Sequence, residues 1–129
     1  MKKYLLDTHT FIWTVIDDND KLSRKAKNII RDVDNELFIS TISFWEIAIK
    51  KNIGKLELNV DFDELIKQLK INKINLLNIN LKHIKQIINM PLHHRDPFDR
   101  MLISQAKIEN MVIITRDKHF HKYDINILW

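Results

Sequence analysis

Apolar residues fall along this chain in two alternating patterns, short unbroken bursts and longer periodic series. Residues 4–6, 37–39, 74–79 and 111–114 are bursts with the length and composition of buried strands, and 125–128 is a weaker fifth. Between them, Leu22, Ala26, Ile29, Ile30 and Val33 recur at the 3.6-residue spacing of a helix face. So do Leu65, Ile66 and Leu69, and then Leu81, Ile84, Ile87 and Ile88. The best-signposted helix runs over 97–110, with Asp96 as N-cap, Pro97 at the first helical position, and Met101, Leu102, Gln105, Ala106 and Ile108 on its mostly apolar faces. Strands that alternate with helices predict an α/β fold, with a mainly parallel sheet of four or five strands covered by helices on both faces.

Composition narrows the picture. With 129 residues, 45% of them hydrophobic, the chain is expected to form a single domain over 1–129 with a real core. It has no cysteine, which excludes disulfide scaffolds, thiolate zinc sites and cysteine nucleophiles. Gly54 is the only glycine, so the glycine loops that cradle phosphates in P-loop and dinucleotide-binding proteins are absent. The opening MKKYLLDTH reaches Asp7 after three apolar residues, too short for a signal-peptide core, and no run approaches a membrane span. The expectation is a soluble, cytoplasmic protein. The formal charge of +4 favours a phosphate-rich partner, although lysines scattered on solvated helix faces would give the same balance.

Four acids stand where strands give way to turns or helices, or early in helices flanking them: Asp7, Glu46, Asp99 and Asp117. Each has an ordinary structural reading. Asp7 or Thr8 caps a helix, Ser43 and Glu46 have capping-box spacing, Asp99 favours the positive end of the helix at Pro97, and Asp117 opens a turn. As a set they point elsewhere, because Asp7 and Asp117 both follow strands at one carboxyl edge and Glu46 and Asp99 lie on early helical turns able to face it. Carboxylates crowded there cannot all ionise without a cation between them, and hard oxygen donors suit Mg²⁺ or Mn²⁺. Asp96, three residues before Asp99, is a further candidate ligand, but Pro97 directly after it favours the N-cap reading. His9, His93, His94, His119 and His121 form no complete zinc pattern and are expected in surface or supporting roles. Lys50, Arg95, Arg100, Arg116 and Lys118 lie close in sequence to the acids and are candidates for phosphate contacts. Trp45 is expected in the core.

The strings LLDTHTFIW (5–13), SFWEIAIKKNIGKL (43–56), HHRDPFDRMLISQA (93–106) and IITRD (113–117) together resemble a PIN-domain ribonuclease. The resemblance covers essentially the whole chain and is nearest to the VapC-type toxins of bacterial toxin–antitoxin pairs, in the subgroup with a DTH-x-x-x-W opening and an H-x-DPFDR motif. It implies a PIN-like fold, Asp7, Glu46, Asp99 and Asp117 as ligands of Mg²⁺ or Mn²⁺, and hydrolysis of RNA by activated water to leave a 5′ phosphate and a 3′ hydroxyl. It also implies a hydroxyl role for Thr115 beside the ion, a homodimer, and a cognate antitoxin docked near Phe11, Trp13 and Trp45. Three other readings compete: a housekeeping RNA- or DNA-processing nuclease, a non-catalytic PIN-fold module that binds RNA or protein, and a phosphoacceptor receiver domain. The last is weakened because Asp17 and Asp18 lie too far past the first strand.

Overall fold

The computed structural model describes residues 2–56, 59–94 and 96–129. Its strands are β1 (Lys3–Leu6), β2 (Glu36–Ser40), β3 (Ile74–Leu77), β4 (Val112–Ile114) and β5 (Ile127–Leu128). Its α-helices are α1 (Thr8–Val15), α2 (Arg24–Arg31), α3 (Thr41–Asn52), α4 (Phe62–Ile71), α5 (Leu81–Ile88) and α6 (Pro97–Glu109), with 3₁₀ turns at Asn19–Lys21 and Lys118–Lys122. The five strands form one parallel sheet in the order β3-β2-β1-β4-β5. From β1 the chain builds outward through β2 to β3, then returns to add β4 and β5 on the other side. The order therefore reverses between β1 and β4, and in an open parallel sheet the crevice beyond the carboxyl ends at such a reversal is where ligands bind.

Alternation along the strands divides the core in two. Tyr4, Leu6, Leu37, Ile39 and Ile114 face one layer with Phe11, Ile12, Phe44, Ile47 and Leu65. Leu5 and Ile113 face the other, with Leu102, Ile103, Ala106 and Phe120. A one-residue slip of β1 would exchange these sets, so burial on both faces fixes the register in which Leu6 pairs with Ile39 and Ile114.

The helix starts follow local chemistry. Asp96 Oδ1 accepts from the backbone N–H of Phe98 at 2.9 Å and of Asp99 at 3.4 Å, with Pro97 following, which gives α6 the predicted cap. The Ser43–Glu46 capping box does not form: α3 starts earlier, capped by Ser40, whose hydroxyl accepts from Ile42 N. Asn110 takes the left-handed conformation, φ 55° and ψ 51°, to end α6 directly before β4.

Three expectations change. The third strand stops at Leu77 rather than 79, because Asn80 turns to cap α5. Val33 lies beyond the end of α2 and is exposed. On α5 the periodicity marks a helix correctly but not its inward face: Leu81, Ile84 and Ile88 are exposed, while His83 is buried, its Nε2 2.9 Å from Glu109 Oε2 at the end of α6. Among the described residues, no helix is long and apolar enough to cross a membrane.

Candidate functional site

The reversal between β1 and β4 holds two of the four acids. Asp7 follows β1 directly, buried, with its backbone N–H bonded to Ile114 O of β4 at 3.2 Å. Its two carboxyl oxygens have different tasks. Oδ1 caps α1 by accepting from Thr10 N at 2.8 Å, and Oδ2 accepts the hydroxyl of Thr115, the residue after β4. The same Thr115 oxygen accepts from Asp117 N at 3.0 Å, so one buried side chain ties the two strand ends together and orients the second acid. That is a more specific task than the hydroxyl role that the family resemblance implies for Thr115. Asp117 in turn caps the 3₁₀ turn, accepting at Oδ1 from His119 N at 2.9 Å.

The other two acids come from helices. Glu46, in the second turn of α3, is almost fully buried, yet both oxygens are engaged: Oε1 accepts from the Thr8 hydroxyl at 2.7 Å and Oε2 pairs with Lys50 Nζ at 2.8 Å. Asp99 lies in the first turn of α6 and caps nothing. His94 Nε2 stands 2.9 Å from Asp99 Oδ2 and 3.7 Å from Asp117 Oδ2. The first approach is close enough for an ion pair but too poorly angled for a hydrogen bond, so among the described residues this buried nitrogen has no hydrogen-bond partner. The His94 Nδ1 accepts from Asp96 N at 3.2 Å, which places the proton of a neutral ring on Nε2, toward the acids.

Electrostatics shows how closely the acids converge. The Asp99 carboxyl is pushed up to about 8, first by burial and then by the charges of Asp96, Glu46, Asp7 and Asp117. All four neighbours act on one group. Burial also raises the Asp7 carboxyl, against the hydrogen bonds from Thr115 and Thr10. Asp117 moves the other way: partial burial opposes ionisation, but the backbone and ring N–H groups of His119, with the charges of His119 and His94, hold its carboxyl below the usual range. Negative charge that has to be suppressed by protonation is charge a cation could balance. The donors facing inward are carboxylate oxygens, which fit a hard divalent ion. Asp7, Glu46, Asp99 and Asp117 are the candidates to hold it; Asp96 spends Oδ1 on its cap, as Asp7 and Asp117 do on theirs.

Among the described residues, the one group of three or more candidate ligands whose ligand atoms all lie within 4.8 Å of one another is His94, Asp117 and His119, which includes only one of the four acids. The sequence shows these histidines only as the neighbours His93–His94 and the pair His119–His121. Nothing in their spacing predicts that a loop and a 3₁₀ turn bring His94 and His119 to one rim. Tyr123 makes this arrangement, its hydroxyl accepting from His93 N and His94 N at 3.1 and 2.8 Å. Thr8 and Ser43, which pack beside Glu46, also carry no sequence signal beyond possible capping.

The basic candidates separate. Lys50 pairs with Glu46, and the Arg116 guanidinium lies 4.8 Å from the centre of the Trp13 ring. Arg100 is half-buried with an Nε that has no hydrogen-bond partner among the described residues, Lys118 is exposed on the 3₁₀ turn, and Arg95 lies outside the described residues. The aromatic candidates separate as well. Phe11 is fully buried against Phe44 in the core, so it has no face for a partner. Trp13 is largely buried between His9 and Trp129. Trp45, expected in the core, is 60% exposed and rests edge-on against Phe98 of α6. The side of α3 that carries Glu46 inward turns Trp45, one residue before, outward.

No curated protein sequence matches the chain. Solved structures do. DNA-bound VapBC from Salmonella typhimurium matches with a TM-score of 0.70 at 18% identity, covering 99% of this chain and 98% of that one. VapBC2 from Rickettsia felis, bound to a DNA fragment from its promoter, matches at TM-score 0.68 and 15% identity over 98% and 97%. A toxin–antitoxin complex from Klebsiella pneumoniae matches at 0.59 and 18% over 98% and 96%. At such identities the likeness is one of fold. A family model described as PIN domain matches residues 4–126, nearly the full length, and the chain belongs to that family.

Proposed function

We propose that this protein is a metal-dependent endoribonuclease and the toxin of a toxin–antitoxin pair. The observation that carries the reading is the position of Asp7 and Asp117 at the reversal point of a parallel sheet, with Glu46 and Asp99 on the helices beside it, where burial first and then the charges of Asp96, Glu46, Asp7 and Asp117 push the Asp99 carboxyl up to about 8. Mg²⁺ or Mn²⁺ held by Asp7, Glu46, Asp99 and Asp117 would supply Lewis-acid activation of water and stabilisation of the charge that develops on the phosphodiester.

The chain's own residues do the rest. Thr115 fixes the Asp7 carboxylate through a buried hydrogen bond, and Thr8 does the same for Glu46, so both acids are aimed before any ligand arrives. Lys50 balances Glu46 and sits where a phosphate oxygen could share it. His94 Nε2 stands 2.9 Å from Asp99 Oδ2, beside the acids, without hydrogen-bonding them. Arg116 and Lys118, on either side of Asp117, together with Arg100, are placed to steer the RNA backbone.

The structural relatives include complexes named for toxin and antitoxin, and this supports a cognate antitoxin as partner. Its docking surface includes Trp45, the aromatic exposed beside the acids, with a basic side chain able to reach the carboxylates. We assign the protein to the cytoplasm and expect a homodimer. The test is cleavage of single-stranded RNA by the purified protein in Mg²⁺ or Mn²⁺, and by folded Asp7→Asn, Glu46→Gln, Asp99→Asn and Asp117→Asn variants. Each should lose at least about 100-fold of the rate, the equivalent of about 3 kcal/mol of charge stabilisation, and chelator should do the same. Full activity in two of the four variants would dismantle the site. Harmless expression of the lone protein, with no adjacent reading frame whose product binds it, would leave a nuclease but remove the toxin.

A further inference from the structure

Beside the acids, between α1 and the C-terminal end of α3, lies a cleft of about 280 Å³. Among the described residues, its lining includes Lys21, Lys50, Lys55 and Arg116 against one carboxylate, Asp18, with Trp13 forming part of the wall. Lys21 lies outside the motif strings and Lys55 falls near the end of the one at 43–56; one ends a 3₁₀ turn and the other follows α3, 34 positions apart, and the fold brings them together. Both are exposed, and among the described residues no acid lies within ion-pair distance of Lys21, Lys55 or Arg116.

We infer that this cleft is a subsite for the backbone phosphates of the RNA strand next to the scissile bond, with Lys21 and Lys55 as its phosphate contacts. The inference rests on the nuclease reading and adds to it the path of the substrate. Three features support that path. The cleft is joined to the acids at both sides, through Lys50, whose amine is on Glu46, and through Arg116, which stands between Thr115 and Asp117 in the chain. Its charge is opposite to that of the acid cluster, as a strand needs if it is to be held by its phosphates on one side and cut on the other. One of its cations is already fixed, because the Arg116 guanidinium lies over Trp13, which packs on Trp129, so little side-chain freedom is lost when an anion arrives.

A short fluorescent single-stranded RNA, titrated with the full-length protein in chelator so that nothing is cut, provides the test. Phosphate contacts to single strands give a salt slope of about 0.7 per contact in a plot of log affinity against log salt. The Lys21→Ala/Lys55→Ala variant should bind more weakly for every RNA sequence tried, with a slope shallower by about 1.4. Lys85→Ala, on exposed α5 and outside the cleft, should behave as the wild type. Unchanged affinity and slope in the double variant, with the wild type still binding RNA, would overturn the subsite and leave the nuclease reading standing. A wild-type protein that binds no RNA in chelator would overturn the subsite, while the nuclease reading stands or falls separately on cleavage in Mg²⁺ or Mn²⁺. If polyglutamate competes as well as RNA of equal charge, the cleft takes anionic chains in general and the RNA assignment fails.

Discussion

Replacing Asp99 with Asn should stabilise the metal-free protein, and more so the higher the pH. In the folded chain the Asp99 carboxyl keeps its proton up to about pH 8, whereas in the unfolded chain it ionises near 3.8. Between those values the folded state binds one proton more than the unfolded state, so stability from this group is greatest at low pH, declines as pH rises, and levels off above 8. At pH 7 the accumulated cost is roughly 4 kcal/mol at about 1.4 kcal/mol per unit. The side chain keeps 19% of its exposure, and water together with small side-chain movements should halve the cost to about 2 kcal/mol. Asparagine has the same shape and nothing to ionise. For a chain of this size the Asp99→Asn melting temperature should exceed that of the wild type by roughly 8 °C at pH 7, while the cost at pH 5 falls below about 1 kcal/mol. Thermal melts in chelator at both pH values measure the gap. Adding Mn²⁺ or Mg²⁺ should then raise the wild type by mass action and close it. A gap that is constant from pH 5 to pH 8 would show that Asp99 is not held protonated and would refute the reasoning.

Two further outcomes follow from named contacts. Thr115→Val should cost about 1–3 kcal/mol, because it leaves a buried carboxyl oxygen of Asp7 and the Asp117 N–H without their shared partner, and it should reduce RNA cleavage, whereas Thr115→Ser should restore both in melts and rate assays. Trp45→Ala should change the melting temperature by no more than a few degrees but weaken antitoxin binding by about 2 kcal/mol or more in calorimetry; unaltered binding would move the docking surface elsewhere.

Much of the fold could be read from the chain because strand bursts buried on both faces leave few alternatives, and Asp96-Pro97 marks a helix start through chemistry local to three residues. Of the four acids only Asp7 directly follows a strand, where a carboxylate has few places to go but the sheet edge; the set of four rests on the family resemblance. What could not be read depends on rotation and on distant partners. Trp45 and Glu46 are neighbours on α3, and only the packing of that helix decides that the carboxylate turns in and the indole out. The apolar stripe of α5 misled for the same reason, since His83 finds Glu109 across the helix pair and takes the inward face instead. His94 meets Asp99 and Asp117 only because Tyr123, almost thirty residues later, anchors the loop between them.

The double duty of Asp7 and Asp117 has a consequence for how this scaffold can change over time. Each spends one oxygen starting a helical turn, so a descendant released from catalysis would still be selected to keep both, for folding alone. Glu46 and Asp99 start no helix, and Asp99 burdens the metal-free fold; relaxed selection would erode these two first. On the proposed function, Glu46 and Asp99 are the letters whose loss in a lineage of such chains would date the end of activity, while Asp7 and Asp117 would persist as relics and testify to nothing.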